Sequence, residues 1–335
     1  MRQNNIKRLV MLGTVIIGVS ANIISVYAME NDRGTSGLQS DNNVTFNMMS
    51  LSEEYHGENW MESIDDELML SQISIPGTHE TCAMYEPVSG VAKCQNLTLL
   101  EQFNAGVRYI DIRCRRYDDN FVIHHGSIYQ HLNYDDVINT CYDFLKENPY
   151  ETIIMSVKEE YSAYSSSDDM ETIFKRYIKG NEDKWYLTDS IPKLGDVRGR
   201  IVLVRRFEAD GELGINAYNG WKDNTTFDIT GADYSINIED LYKVKNSEEK
   251  WNAINANLNN AYNNSNEKTM YITYTSGYVP LIFNIPQIKK ISEPVNEYLT
   301  VYFDDKYQTG NYGIFAMDYV TEEMCREIIA SNKFE

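Results

Sequence analysis

The chain has 335 residues, enough for one barrel-sized domain or two smaller ones, and its 42% hydrophobic content is ordinary for a globular protein. Its 50 acidic against 30 basic side chains give a net charge of −20. Such a surface disfavours nucleic acid and polybasic attachment to anionic membranes, though it leaves room for a local basic pocket.

Arg2, Lys7 and Arg8 precede a mostly apolar run from Leu9 to Val26, and Val26-Tyr27-Ala28 resembles a small-residue cleavage site. The run is long enough for a membrane anchor, but Gly13, Gly18, Ser20 and Asn22 interrupt it. A cleaved signal peptide over residues 1–28, and hence secretion, is the favoured reading. Its removal takes away three basic residues and no acidic ones, moving the charge to −23. Residues 29–58 are polar and without periodicity, as expected of a flexible leader before a domain over 59–335.

Beyond the leader, apolar runs alternate with helical patterns. Leu68 to Ile75 reads as a strand broken by Pro76-Gly77, with His79 at its carboxyl end. Asn96 to Phe103 reads as a helix. Val107 to Ile110 and Phe121 to Ile123 read as strands around Asp111, Arg113 and the adjacent His124 and His125. In Asn133 to Glu147, Val137, Cys141, Phe144 and Leu145 recur at helical spacing before Asn148-Pro149. Thr152 to Val157 and Ile201 to Val204 are apolar enough for strands buried on both faces. Helices are expected over Asp168–Tyr177, Ser247–Tyr262 and about Gln287–Phe303, where Pro294 introduces a kink. Met270–Tyr274 and Gly313–Met317 read as strands, and Thr321 caps a final helix. Residues 208–245 alternate poorly, so an irregular or open sector is expected there.

This alternation suits an α/β barrel of parallel strands. His79, Arg113, Lys158, Arg206 and Asp318 follow apolar strands, at the face where such barrels collect functional groups. The five cysteines contain no CxxC pair, which argues against a zinc knuckle or a thioredoxin-like motif. In a secreted chain Cys82 and Cys94 have the spacing to close a short loop. Cys114, Cys141 and Cys325 read as small core residues.

Two histidines and an arginine suit phosphodiester cleavage by an internal hydroxyl. One imidazole takes the hydroxyl proton, the other protonates the leaving oxygen, and the guanidinium holds the phosphoryl oxygens. Spacing alone leaves His79 equally well a polar turn residue. Because neighbouring strand side chains point oppositely, only one of His124 and His125 enters a shared pocket. His79, Glu80, Asp111 and His125 also form a donor set suited to zinc or calcium, against which Arg113 places a fixed cation.

Six stretches carry a resemblance: Ile73–His79 (ISIPGTH), Gly106–Arg113 (GVRYIDIR), Ile123–Gly126 (IHHG), Glu151–Lys158 (ETIIMSVK), Lys193–Leu203 (KLGDVRGRIVL) and Met317–Tyr319 (MDY). In this order they resemble the bacterial phosphatidylinositol-specific phospholipases C of the PLC-like phosphodiesterase (X-domain) superfamily. The resemblance implies a distorted or partly open TIM-type barrel and cleavage of phosphatidylinositol to diacylglycerol and inositol 1,2-cyclic phosphate, followed by slow hydrolysis of the cyclic phosphate. It makes His79 the base, oriented by Asp318, and His125 the acid. Arg113 becomes the phosphate ligand, with Asp111 as its orienting carboxylate. It maps inositol binding onto Lys158, Arg206, Asp223, Asp240 and Tyr242, the last packing on the ring face.

Arg113 resembles the metal-independent branch, so no metal or other cofactor is expected, and no protein partner. Two departures stand out. Glu80 replaces the family's usual aspartate, which supports the acid. Glu86 to Gln95 lacks the membrane-touching tryptophan of some relatives, leaving Val88, Val91 or residues 278–283 for interfacial contact. Glycosylphosphatidylinositol anchors or another phosphodiester as substrate, and a non-catalytic inositol-lipid-binding role, are the alternatives.

Overall fold

The structure, a computed structural model, describes residues 56–280, 286–305 and 308–334. The expected signal peptide, nearly all of the leader and part of the expected apolar rim at 278–283 lie outside the described residues. The chain is already tied down at Gly57 and Glu58, whose carbonyls accept from Arg108 at 2.9 and 2.8 Å.

Twelve strands form one sheet. They are β1 (Ile75–Thr78), β2 (Tyr109–Tyr117), β3 (Asn120–His125), β4 (Ile128–Asn133), β5 (Ile153–Glu159), β6 (Trp185–Tyr186), β7 (Ile201–Arg206), β8 (Ile215–Asn216), β9 (Thr225–Thr230), β10 (Ser235–Asp240), β11 (Thr269–Tyr274) and β12 (Ile314–Met317). The spine runs β6-β7-β5-β2-β1-β12-β11-β10-β9. All neighbours along it are parallel except β9, which turns back on β10. Among the described residues no ladder joins β6 to β9, so the TIM-type barrel is partly open on that side, as expected. Helices α1 (Leu99–Asn104), α2 (Tyr134–Glu147), α3 (Met170–Ile178), α4 (Leu194–Val197), α5 (Ser247–Asn264), α6 (Lys289–Asp305) and α7 (Glu322–Ala330) complete the fold.

The first strand departs from expectation. Residues 70–72 form a 3-10 turn, and β1 runs through Pro76-Gly77 instead of ending there. Pairing with β2 begins only at Gly77 opposite Tyr109, so the N–H that Pro76 lacks falls before the first rung. Gly77 is required by closeness: a Cβ there would stand 2.6 Å from that of Tyr109 and against the Phe315 carbonyl. α1 starts at Leu99, three residues later than expected, because Thr98 and Glu101 form a capping box with the carboxylate 2.7 Å from the Thr98 N–H. α6 continues through Pro294.

The sector expected to be irregular holds a hairpin. In β9 Phe227 and Ile229 point inward between exposed Thr226, Asp228 and Thr230, and Ile236 and Ile238 of β10 face the core beside them. The β2–β3 arm is a second departure. It turns through Asp118 and Asp119, both at positive φ (47° and 56°), which matches the twist of a two-residue hairpin. β4 was not foreseen at all.

Arg108, just before β2, and Glu151, just before β5, form a fully buried pair at 2.7 Å, and Lys250 meets Glu239 near the carboxyl end of β10 in an equally buried pair at 2.8 Å. At the protein surface Glu327 of α7 is half-buried near Asp304 and Glu323. Burial, and then those two carboxylates, push its carboxyl up to about 7. Its protonated form is therefore favoured by folding: the contribution is full below about pH 4.5 and is lost as pH rises through 7. Solvent screening keeps the effect to about 1 kcal/mol or less. Glu327→Gln should raise the melting temperature at pH 8 and leave it unchanged at pH 4, as thermal denaturation at the two pH values would measure; an equal gain at both would contradict the assignment.

Candidate active site

The carboxyl ends of the strands surround a cavity of about 530 Å³. The strand register explains much of its lining. Arg113, Lys158 and Arg206 are partners across β2, β5 and β7, so parallel strands present three cations on one rung. One strand further, Thr78 pairs with Met317, and the next residues of each chain segment are His79 and Asp318.

His79 Nδ1 lies 2.8 Å from Asp318 Oδ1, and the Asp318 side chain is only 1% exposed. That contact holds the Nδ1 proton toward the carboxylate and leaves the Nε2 edge of the ring for the cavity, which His79 lines. Gln95 fixes the backbone around the pair, donating to the carbonyls of His79 and Met317 at 2.8 Å each. The Tyr274 ring meets the imidazole edge-on at 5.9 Å. Immediately after His79, Glu80 adopts a positive φ of 43°, a bend that lets successive side chains serve different parts of the site.

Arg113 is held from behind. Its Nε and Nη2 donate to Asp111 Oδ2 at 3.1 and 3.0 Å, and its Nη1 is 2.6 Å from Glu80 Oε1. The Glu80 contact is ionic and is not aligned as a hydrogen bond. Burial opposes ionisation of Asp111, but Arg113 and Arg206 outweigh it and hold the carboxyl well below the usual carboxylate range. For Glu80 burial prevails, and its carboxyl is raised despite Arg113 and His125. Neither residue forms part of the cavity wall; both sit behind Arg113.

His125 ends β3, so it reaches the cavity from the hairpin arm and not from a barrel strand. Its Nδ1 is 2.7 Å from the Ala92 carbonyl, which makes Nδ1 the donor there and aims Nε2 away, 3.9 Å from Glu80 Oε1. His124 is buried and turned elsewhere, with Nδ1 3.3 Å from the Gly126 carbonyl.

The other residues singled out from the sequence also line the cavity. Lys158 donates to Glu160 at 3.1 Å, and burial followed by Arg113 lowers its ammonium. The Arg206 guanidinium lies 3.4 Å from the centre of the Trp221 ring and donates to Tyr274 Oη at 3.2 Å. Trp221 donates in turn to Asp240 at 3.1 Å, and the Tyr242 hydroxyl donates to Asp223 at 2.5 Å.

Sequence reasoning missed Glu160 and Trp221. Glu160 accepts from Lys158 and from the Gly126 N–H, lies 3.8 Å from Arg113, and is held at about 2 by Arg113 and Lys158 against its burial. Its spacing two residues after Lys158 was the available signal. Trp221 sits in a Gly- and Asn-rich stretch that carries no pattern.

Cys82 and Cys94 are separate free thiols, and all five cysteines are buried and free, so the short loop that their spacing allows is not closed. Val88 is 62% exposed, while Val91 and Tyr278 are half-buried.

Residues 67–207 match the family described as phosphatidylinositol-specific phospholipase C, X domain. The chain is 32% identical over 236 residues to the 1-phosphatidylinositol phosphodiesterase of Staphylococcus aureus strain Newman, covering 65% of this chain and 75% of that protein. It is 31% identical over 288 residues to the enzyme of the same name from Listeria monocytogenes, with 82% and 85% covered. The fold matches a crystal structure of the S. aureus phosphatidylinositol-specific phospholipase C bearing a pentafluoro-Phe, with a TM-score of 0.75 at 28% identity, over 83% of this chain and 98% of that one.

Proposed function

The chain belongs to the phosphatidylinositol-specific phospholipase C family, and we propose that it cleaves phosphatidylinositol by attack of the inositol 2-hydroxyl on its own phosphodiester. The observation that carries this reading is that two imidazoles face one cavity with their Nδ1 edges already occupied, His79 by Asp318 and His125 by the Ala92 carbonyl. Each ring therefore offers Nε2 to the substrate.

His79 Nε2 takes the 2-hydroxyl proton, and the oxygen bonds to phosphorus. Asp318 stabilises the imidazolium that results. Arg113, fixed by Asp111 and Glu80, binds the equatorial phosphoryl oxygens as charge gathers on them. His125, protonated on both nitrogens, gives its Nε2 proton to the departing diacylglycerol oxygen. Water then opens the cyclic phosphate with the two histidines in exchanged roles. Lys158, Arg206, Asp223 and Asp240 supply donors and acceptors for the remaining inositol hydroxyls, and Tyr242 covers the ring face. Every bond broken or made is matched by a proton held on one of the two rings.

The lipid is drawn from a membrane surface, with exposed Val88 as one point of contact, and residues 1–28 direct the chain out of the cell. A phosphorus NMR time course with phosphatidylinositol micelles tests the mechanism. Inositol 1,2-cyclic phosphate should build up first and decay to inositol 1-phosphate. Direct appearance of the acyclic product alone would exclude attack by the internal hydroxyl.

A further inference from the structure

Cys94 has no part in this mechanism, yet it lies between the two catalytic rings. Its Sγ is 3.8 Å from His125 Nδ1, and among the described residues the ligand atoms of His79, Cys94 and Asp318 form a group lying within 4.8 Å of one another. Asp318 adds a second observation. Its Oδ2, the oxygen that His79 does not engage, is buried with no hydrogen-bond partner, although the rest of the surroundings is densely bonded. A thiol, an imidazole and a spare carboxylate oxygen make a donor set for a borderline-soft divalent ion, and not for calcium or magnesium, which take oxygen ligands.

We infer that His79, Cys94 and Asp318 form an inhibitory site for Zn²⁺ or a cation of like softness, which enters through the cavity and disables the base. His79 lines that cavity and its side chain is 17% exposed, so it marks the way in to the buried thiol. A contraction of about 1 Å brings the donors to tetrahedral zinc spacing. A free thiol at neutral pH carries its proton. On binding, the sulfur–hydrogen bond breaks, sulfur bonds to the ion, and one proton passes to solvent. The imidazole neither gains nor loses a proton. To free Nδ1 for the ion, its proton moves to Nε2, which then points a filled N–H at the substrate hydroxyl and no longer accepts from it.

The binding half of this inference depends only on the three donors; the inhibition half rests on His79 being the base. The test uses the full chain, Zn²⁺ and phosphatidylinositol micelles, with each protein's activity scaled to its own value in EDTA. Zn²⁺ should inhibit and Ca²⁺ should not. Cys94→Ala and the closer-fitting Cys94→Ser should need at least about tenfold more Zn²⁺, since even outer partners of a metal ligand are worth 10–100-fold in affinity. Cobalt gives a readout independent of turnover: a thiolate-to-cobalt absorption band in the wild type, kept by Cys82→Ala and lost in both Cys94 variants. Equal Zn²⁺ sensitivity of wild type and Cys94→Ser, or a cobalt band that survives the loss of Cys94, would overturn the site. A Cys94-dependent band with activity intact would leave the binding and overturn both the inhibition and the role of His79 as base.

Discussion

His79→Ala is expected to lower kcat on phosphatidylinositol by about 10³- to 10⁴-fold with little change in KM. The ring's contribution is made mostly in the transition state, where it holds the proton of the attacking hydroxyl and Asp318 stabilises the charge that follows. Folding should survive, because Gln95 clamps the backbone carbonyls of His79 and Met317 without using the imidazole. Steady-state kinetics on micelles, with circular dichroism to check the fold, gives the answer. Retention of more than about a tenth of the activity would remove His79 from the role of base, since general base catalysis contributes at least about 10²-fold.

The second large effect is expected from Arg113→Lys, at about 10²- to 10³-fold in kcat. Removing the charge altogether would strand Asp111 and Glu80 as buried carboxylates and confuse catalysis with stability. Lysine keeps the charge but not the planar fork, which lies on Asp111 through Nε and Nη2 and on Glu80 through Nη1. With the ammonium free to rotate, the phosphoryl oxygens meet a point charge of uncertain direction. Hydrolysis of inositol 1,2-cyclic phosphate should fall by a similar factor, because the same oxygens carry the charge in both steps. A variant at wild-type rate in both steps would show that Arg113 does not touch the phosphate.

Much of this site was legible in the sequence because parallel strands place their functional residues just past apolar runs. Arg113, Lys158 and Arg206 each follow such a run, and the register sets them on one rung. The interlock of Asp111 with Arg113 followed from strand alternation. Other features depended on contacts that no local pattern records. β1 passes through Pro76-Gly77 because of where the neighbouring strand begins pairing and how close it lies. β9 and β10 had the alternation of strands, but the Gly-, Asn- and Asp-rich segments around them hid it. That His125 comes from a hairpin arm, and that Ala92 fixes its tautomer, depends on a loop more than thirty positions away. Cys94 looked like half of a disulfide and instead faces both histidines.

The adjacency of β1 and β12 has a consequence for how the protein comes into being. His79 and Asp318 are 239 positions apart, and the strands that carry them are neighbours in the sheet. At elongation rates of about 5–20 residues per second, His79 precedes Asp318 by roughly 10–50 s. By the end of that interval the nascent chain carries Arg113, His125 and the residues proposed to contact inositol. It lacks the group that sets the tautomer of its base. On the proposed mechanism, full competence to cut lipid is therefore acquired late, when β12 docks beside β1, and a chain that ends before Met317 lacks the carboxylate that orients the base.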